Sequence, residues 1–334
     1  MTIISKPTEL DAGLVFSGQK SGLTVTGFDA PSPYTPTIDG SYCFHDSARD
    51  VIVWFRMEKP EPLYVFGPTG CGKSSLLRQL AARLNYPVFE VTGHDRLEVD
   101  DLIGHLTLRN GAMAFEDGPL TLAMMMGGLF ILNEIELCSP ATLAGLNTIL
   151  DGAPLCIAAN GGELVKPAPS FRFAATANTS GSGDGLGVYQ GAQRQNLAFL
   201  DRFLMLEVGY ADSKTETDLL TSRFPALSPK VITDMVAFAN EVRKLFMAEP
   251  TADSPVTQAC EVTFSTRTLL RWADLTIRYE PLAMYGEVPI LYALDRALGF
   301  RACPETRAML RELAQRVFNI TTKSKKDNDN DKAA

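Results

Sequence analysis

The sequence predicts an α/β fold, a phosphate-loop αβα sandwich on a parallel sheet with β-hairpin inserts, followed by an all-α region. Three observations carry this. Residues 67–74 read Gly-Pro-Thr-Gly-Cys-Gly-Lys-Ser, a complete G-x-x-x-x-G-K-[ST] phosphate loop. Short apolar runs alternate with helical patterns from residue 61 to about 208. From 213 to 322 the apolar periodicity is helical, with little strand signal.

Taken in order, residues 1–38 are rich in Gly, Pro, Ser and Thr and predict an irregular or partly extended N-terminal arm. Residues 39–60 predict a helix leading into the first core strand. Leu63-Tyr64-Val65-Phe66 is a short aromatic-rich run suited to a buried strand. It feeds the loop, and the loop opens a helix with apolar residues at 76, 77, 80, 81 and 84. That order places the helix N-terminus against bound phosphates. Further strands are predicted at 88–92, 129–133, 172–177 and 203–208. Two Asn-Gly turns, Asn110-Gly111 and Asn160-Gly161, predict hairpins over 106–115 and 155–165 that interrupt the α/β pattern. The nucleotide-binding domain is thus expected over 39–210. A helical lid over 211–322 is expected to include Val231–Phe246, Arg267–Glu280 and Pro304–Phe318. The charged tail, 323–334, should be disordered.

The bulk properties narrow the function classes. The chain has 334 residues, 46% hydrophobic and 21% charged, and a net charge of −8. That charge argues against a general nucleic-acid surface. Six scattered cysteines with no C-x-x-C pair fit a reducing cytoplasm rather than a disulfide framework or zinc ribbon. No signal peptide or membrane span is expected; the apolar run near 120–132 is broken by Gly127-Gly128. His94 and His105, with Glu98, Asp100 and Asp101, match no standard metal-ligand spacing and predict an acidic loop.

The loop residues Gly67, Pro68, Thr69, Gly70, Cys71, Gly72, Lys73 and Ser74 form the candidate nucleotide cradle. Backbone N–H groups would hold phosphate oxygens, Lys73 would reach the β- and γ-phosphates, and the Ser74 hydroxyl would bind Mg²⁺. Cys71 is expected to be a small residue at a variable loop position. The strand Leu129–Leu132 ends in Asn133-Glu134. Asn133 stands where an Asp usually helps hold Mg²⁺ through water, so it keeps an oxygen but loses a charge. Glu134 stands where a general base would activate water. Glu136 offers a charge that would offset Asn133, on a side of the chain the sequence leaves open. Phe171–Ala177 is a second apolar strand ending in an amide, Asn178, suited to the γ-phosphate or the attacking water. Arg202, in Asp-Arg-Phe, is a candidate arginine finger for a neighbouring subunit. Arg267, opening a helix of the second region, is a candidate sensor.

This order of elements resembles AAA+ ATPases of the MoxR group, and within it the CobS type, the AAA+ subunit of aerobic cobaltochelatase. The likeness is carried by Ala81-Ala-Arg-Leu-Asn-Tyr-Pro87, Asp101-Leu-Ile-Gly104, Phe115-Glu-Asp-Gly118, Ala175-Thr-Ala-Asn178-Thr and the segment Gly183–Gln193. It also includes Leu313-Ala-Gln-Arg-Val-Phe318 and spans roughly 40–320. The resemblance implies ATP and Mg²⁺ as cofactors and a homo-oligomeric ring, usually a hexamer, with ATP between subunits. It further implies hairpins that face a pore or client, and a partner with a von Willebrand A domain. It assigns Lys73 and Ser74 to nucleotide and Mg²⁺, Glu134 to water activation, Asn178 to sensor 1, Arg202 to the finger and Arg267 to sensor 2. The departure from its pattern is Asn133 in place of Asp. Three functions follow as expectations: a partner-remodelling ATPase, the ATPase subunit of a cobalt or magnesium chelatase, or a weakly hydrolysing scaffold.

Overall fold

Proline and glycine do not leave the N-terminal segment irregular. In the computed structural model, which describes residues 5–44, 46–109, 111–183, 189, 191–247 and 262–320, strand β1 (Pro7–Asp11) leads into helix α1 (Ala12–Ser17). It then pairs antiparallel with β2 (Thr24–Phe28). Within the arm expected over 1–38, regular structure thus replaces the irregular reading at 7–17 and 24–28, while 29–38 has no helix or strand. The cause is Asp11, whose carboxylate accepts the backbone N–H groups of Leu14, Ser21 and Gly22 and ties both ends of the connection. Those hydrogen bonds hold its pKa well below the usual carboxylate range. Phe28 packs edge-on against Tyr86, with ring centroids 5.0 Å apart, and fastens the pair to its own unit.

The helix expected over 39–60 is α2 (Ala48–Arg56), which buries Trp54 and Phe55. Next come β3 (Leu63–Phe66), α3 (Lys73–Arg83) and β4 (Val88–Thr92). Helix α4 (Val99–Ile103) opens with a reciprocal capping box between Glu98 and Asp101, which occupies two acids of the expected acidic loop. The first insert is the hairpin β5 (Gly104–Arg109) with β6 (Ala112–Asp117), Leu106 facing Phe115 and Arg109 facing Ala112. Asn110, of the expected Asn-Gly turn, lies outside the described residues.

Helix α5 (Pro119–Met126) begins on proline and stops at Gly127, whose φ of +66° needs no Cβ. It leads to β7 (Leu129–Asn133) and, through α6 (Pro140–Gly145) and α7 (Asn147–Leu150), to the second insert. That insert pairs β8 (Leu155–Ile157) with β9 (Glu163–Val165). A 3₁₀ turn, Ala158–Asn160, lies between them, so the connection is longer than a tight two-residue Asn-Gly turn. Then come β10 (Arg172–Ala177), α8 (Leu197–Leu200) and β11 (Leu204–Glu207).

Five strands form one parallel sheet in the order β11-β3-β10-β7-β4. Its central strands are covered on both faces, so every residue of β7 and β10 is buried. This is why Leu129–Leu132 and Phe173–Ala175 read as continuous apolar runs rather than alternating ones. All strands run the same way, so the residues following β3, β7 and β10 gather at one end of the sheet.

The chain divides into two units at Gly209/Tyr210. The second is helical: α9 (Ser213–Arg223), α10 (Pro229–Met247), α11 (Thr266–Arg278), α12 (Pro289–Ala297) and α13 (Pro304–Val317). Its core centres on Trp272, which touches the rings of Phe238, Phe264 and Phe318. A buried ion pair, Arg243 with Glu216, crosses it at 2.8 Å. The tail expected to be disordered, 323–334, lies outside the described residues. Among the described residues, no helix is long and apolar enough to cross a membrane.

Candidate nucleotide site

The phosphate loop leaves the C-terminal end of β3 and closes onto α3. Gly67 has φ +146°, and a Cβ there would meet the Val208 carbonyl oxygen at 2.1 Å. Gly72, at φ +102°, is the N-cap of α3. The eleven-residue helix therefore presents its N–H end to the loop, where an anion is favoured. Lys73 Nζ donates to the Gly67 and Pro68 carbonyls, at 2.8 and 3.0 Å, and to Asn178 Oδ1 at 3.0 Å. The loop lysine and the amide that ends β10 thus meet directly. Cys71 is buried and its thiol donates to the Val208 carbonyl at 3.0 Å. Burial pushes its pKa up, against the pull of the Lys73 charge.

The end of β7 completes the cluster. Ser74 Oγ donates to Asn133 Oδ1 at 2.5 Å, and Thr176 Oγ1 donates to the same oxygen at 3.0 Å. Glu134 follows in the left-handed region, φ 53° and ψ 45°, with its side chain exposed. Its backbone N–H donates to Thr176 Oγ1 at 3.3 Å. A non-glycine residue pays for this conformation with about 1–3 kcal/mol, and such residues concentrate at functional sites. Glu136 points inward at 1% exposure, and its Oε1 accepts the Asn178 backbone N–H at 2.6 Å. Burial pushes the Glu136 pKa up, while the Asn178 amide and Lys73 pull it down. The neighbouring Tyr64 phenol is also raised, first by its own burial and then by the Glu136 charge.

Lys73, Ser74, Asn133, Glu134 and Asn178 are therefore gathered at one end of the sheet. Thr176 also belongs there, and sequence reasoning missed it. Its place within Ala-Ala-Thr-Ala was the only signal, a lone hydroxyl in an apolar strand. Tyr189, within the segment Gly183–Gln193, also reaches the loop: its hydroxyl accepts the Thr69 backbone N–H at 3.4 Å. Residues 184–188 and 190 of that segment are outside the described ones.

Arg202 is not part of this cluster. It precedes β11, whose Leu204 pairs with Leu63 at the start of β3, so it lies at the opposite end of the strands from the phosphate loop. Its guanidinium is held by Asp151, with Nε 2.8 Å from Oδ1. A cavity of about 1130 Å³ opens beside this pair, lined by Pro62, Phe171 and Phe173 among others. That cavity is remote from the phosphate loop and holds none of its residues. Arg267 is an exposed residue of α11 in the second unit. Among the described residues, no group of three His, Cys, Asp or Glu is placed to hold a metal ion. His94 Nδ1 instead accepts the Arg96 backbone N–H at 3.2 Å.

A family model for the AAA domain, dynein-related subfamily, matches residues 62–203, and one for the CbbQ/NirQ/NorQ C-terminal region matches 216–317. The first spans every sheet strand but β11 and every clustered residue; the second spans most of the helical unit. The chain belongs to the MoxR-type AAA+ ATPases. Among relatives, this AAA+ chain is 26% identical over 316 residues to the aerobic cobaltochelatase subunit CobS of a Sinorhizobium species. That match covers 92% of this chain and 90% of the relative. It is 29% identical over 258 residues to NorQ of Paracoccus denitrificans, covering 77% and 86%. A match to midasin of Giardia intestinalis, 29% identical, covers 64% of this chain but 4% of that much longer protein. An AAA domain implies nucleotide binding, and the clustered loop, amides and carboxylate are where it would take place.

Proposed function

We propose that this AAA+ protein binds Mg²⁺-ATP at the cluster, hydrolyses it as a homo-oligomeric ring, most simply a hexamer, and remodels a partner complex. The observation that carries this is the convergence of Lys73, Ser74, Asn133, Glu134 and Asn178 at one end of β3, β7 and β10. The donors offered by Ser74 and Asn133 are oxygens, the class Mg²⁺ prefers, so the residues fit that ion. When bound, Mg²⁺ would neutralise charge on the β- and γ-phosphates. Lys73 and the loop N–H groups bind the phosphates. Glu134, exposed beside them, takes the proton of the attacking water or orients that water. Asn178, steadied by Lys73, orients the γ-phosphate or water. Arg202, at the far end of the sheet, is assigned to a neighbouring copy's phosphates, and Arg267 to a sensor role. The partner is proposed to carry a von Willebrand A domain, working in the cytoplasm.

Two narrower readings have support of their own. The CobS match over 92% of the chain favours an ATPase subunit of a cobalt or magnesium chelatase. The neutral Asn133 favours a weakly hydrolysing, ATP-dependent scaffold. The deciding experiment is ATP hydrolysis with Mg²⁺ across concentrations that bracket assembly, with oligomer mass measured beside Lys73→Ala and Glu134→Gln. Cooperative turnover lost in both variants is expected. Tight ATP binding and ring formation without turnover, even with a von Willebrand A protein added, would leave the scaffold.

A further inference from the structure

The roles assigned above leave one buried carboxylate of the site unused. Glu136 sits on the 3₁₀ turn Ile135–Leu137 directly after Glu134 and is 1% exposed. Its backbone carbonyl accepts the Gln193 N–H at 2.9 Å, which fixes the turn. Oε1 accepts the Asn178 N–H, while Oε2 is buried with no hydrogen-bond partner among the described residues. An ionised carboxylate is taken out of water only at a cost of several kcal/mol, so a buried one needs a countercharge. The cation at hand is Lys73, one residue away through Asn178: Lys73 Nζ meets the Asn178 side chain and Glu136 meets its backbone. The strand end that would ordinarily bear the fixed charge carries instead the neutral Asn133, whose Oδ1 accepts from both Ser74 and Thr176.

We propose that Glu136 is a positioning residue whose buried carboxylate supplies the fixed negative charge of the Lys73 and Mg²⁺ site that Asn133 does not. It also holds Asn178 in place through that residue's backbone N–H. This rests on the nucleotide-binding reading above and extends it to a residue outside the assigned set. The charge has moved three residues along the chain, from the strand end to the following turn.

The test uses the full-length chain with ADP and Mn²⁺ as a paramagnetic probe for Mg²⁺, read by electron paramagnetic resonance. Binding of a fluorescent ADP analogue is measured with and without metal. Glu136→Gln keeps an acceptor for the Asn178 N–H and removes only the charge. It should weaken Mn²⁺ binding in the nucleotide complex by roughly 10- to 100-fold, as loss of an outer partner of a metal site does. Metal-free nucleotide binding should be unchanged or tighter, because a negative charge near the phosphates has gone. Adding Asn133→Asp to Glu136→Gln should restore the Mn²⁺ affinity. Unchanged Mn²⁺ affinity in Glu136→Gln, or no restoration in the double variant, overturns the proposal. Asn133→Asp alone gives an independent answer if Glu136→Gln does not fold. It should tighten Mn²⁺ by less than about threefold, since neighbouring charges are not additive. A gain of about tenfold or more would show that the site lacks the charge and overturns the role. A wild-type chain that binds no nucleotide at all would overturn the nucleotide reading and this role together, whereas the outcomes above leave that reading standing.

Discussion

At the scale of single residues, Glu134 shows a conflict between stability and chemistry. Its left-handed backbone would suit glycine, and its side chain lies in solvent without a structural task. Glu134→Gly should therefore stabilise the N-terminal unit by roughly 1 kcal/mol, since the left-handed cost disappears. Turnover should be abolished. Urea unfolding and an ATPase assay on the same variant check both halves, and a destabilised variant would count against the strain. Cys71 makes a second residue-scale case. It is buried, its thiol is bonded to Val208, and burial pushes its pKa up, so little reactive thiolate exists near neutral pH. The exposed Cys156 should take up iodoacetamide well before Cys71, as peptide mass spectrometry would show. Rapid labelling of Cys71 would mean that the loop opens readily.

At the scale of elements, the second unit depends on an ion pair whose hydrogen bonds join three helices and a loop. Glu216 of α9 accepts both Arg243 Nη atoms at 2.8 Å and the Thr266 hydroxyl at 2.7 Å. Arg243 Nε donates to the Phe264 carbonyl at 2.7 Å. Every charged atom is satisfied, so removing one partner strands the other. Glu216→Ala should cost about 3–5 kcal/mol of the helical unit's stability, measured by urea unfolding followed by circular dichroism. A loss below about 1 kcal/mol would show the pair to be solvated in solution. This pair was not legible in the sequence, because its partners are 27 residues apart and helical periodicity reports faces rather than contacts. The parallel strands were legible, since burial on both faces writes them as apolar runs of a few residues. So was the phosphate loop, whose glycines answer a local backbone need. The N-terminal pair was hidden because it depends on Asp11 reaching Ser21 and Gly22, a long-range bond inside a stretch that reads as turn-rich. The site was half legible. Lys73, Ser74 and Asn178 announce themselves by motif and strand end, but nothing local says that Thr176 and Ser74 share one oxygen of Asn133, or which way Glu136 faces.

At the scale of the molecule, Lys73 and Arg202 occupy opposite ends of one sheet. On the proposed function each copy contributes its phosphate loop to one site and its arginine to the next. Lys73→Ala and Arg202→Ala chains should each be inactive alone, yet regain partial turnover when mixed, because some junctions then pair an intact loop with an intact arginine. An ATPase assay over mixing ratios checks this, and a strictly inactive mixture would place Arg202 outside the reaction. Asp151 bears on the same experiment, because it already grips the Arg202 guanidinium and must share it with an incoming phosphate. The placement of these two residues has an arithmetical consequence. A solitary copy would own no complete site, an open row of copies would own one fewer than its length, and only a closed circle would own as many as its members. Closing the circle would then add an active site without adding a subunit, which makes the supply of the protein itself a control on its catalysis.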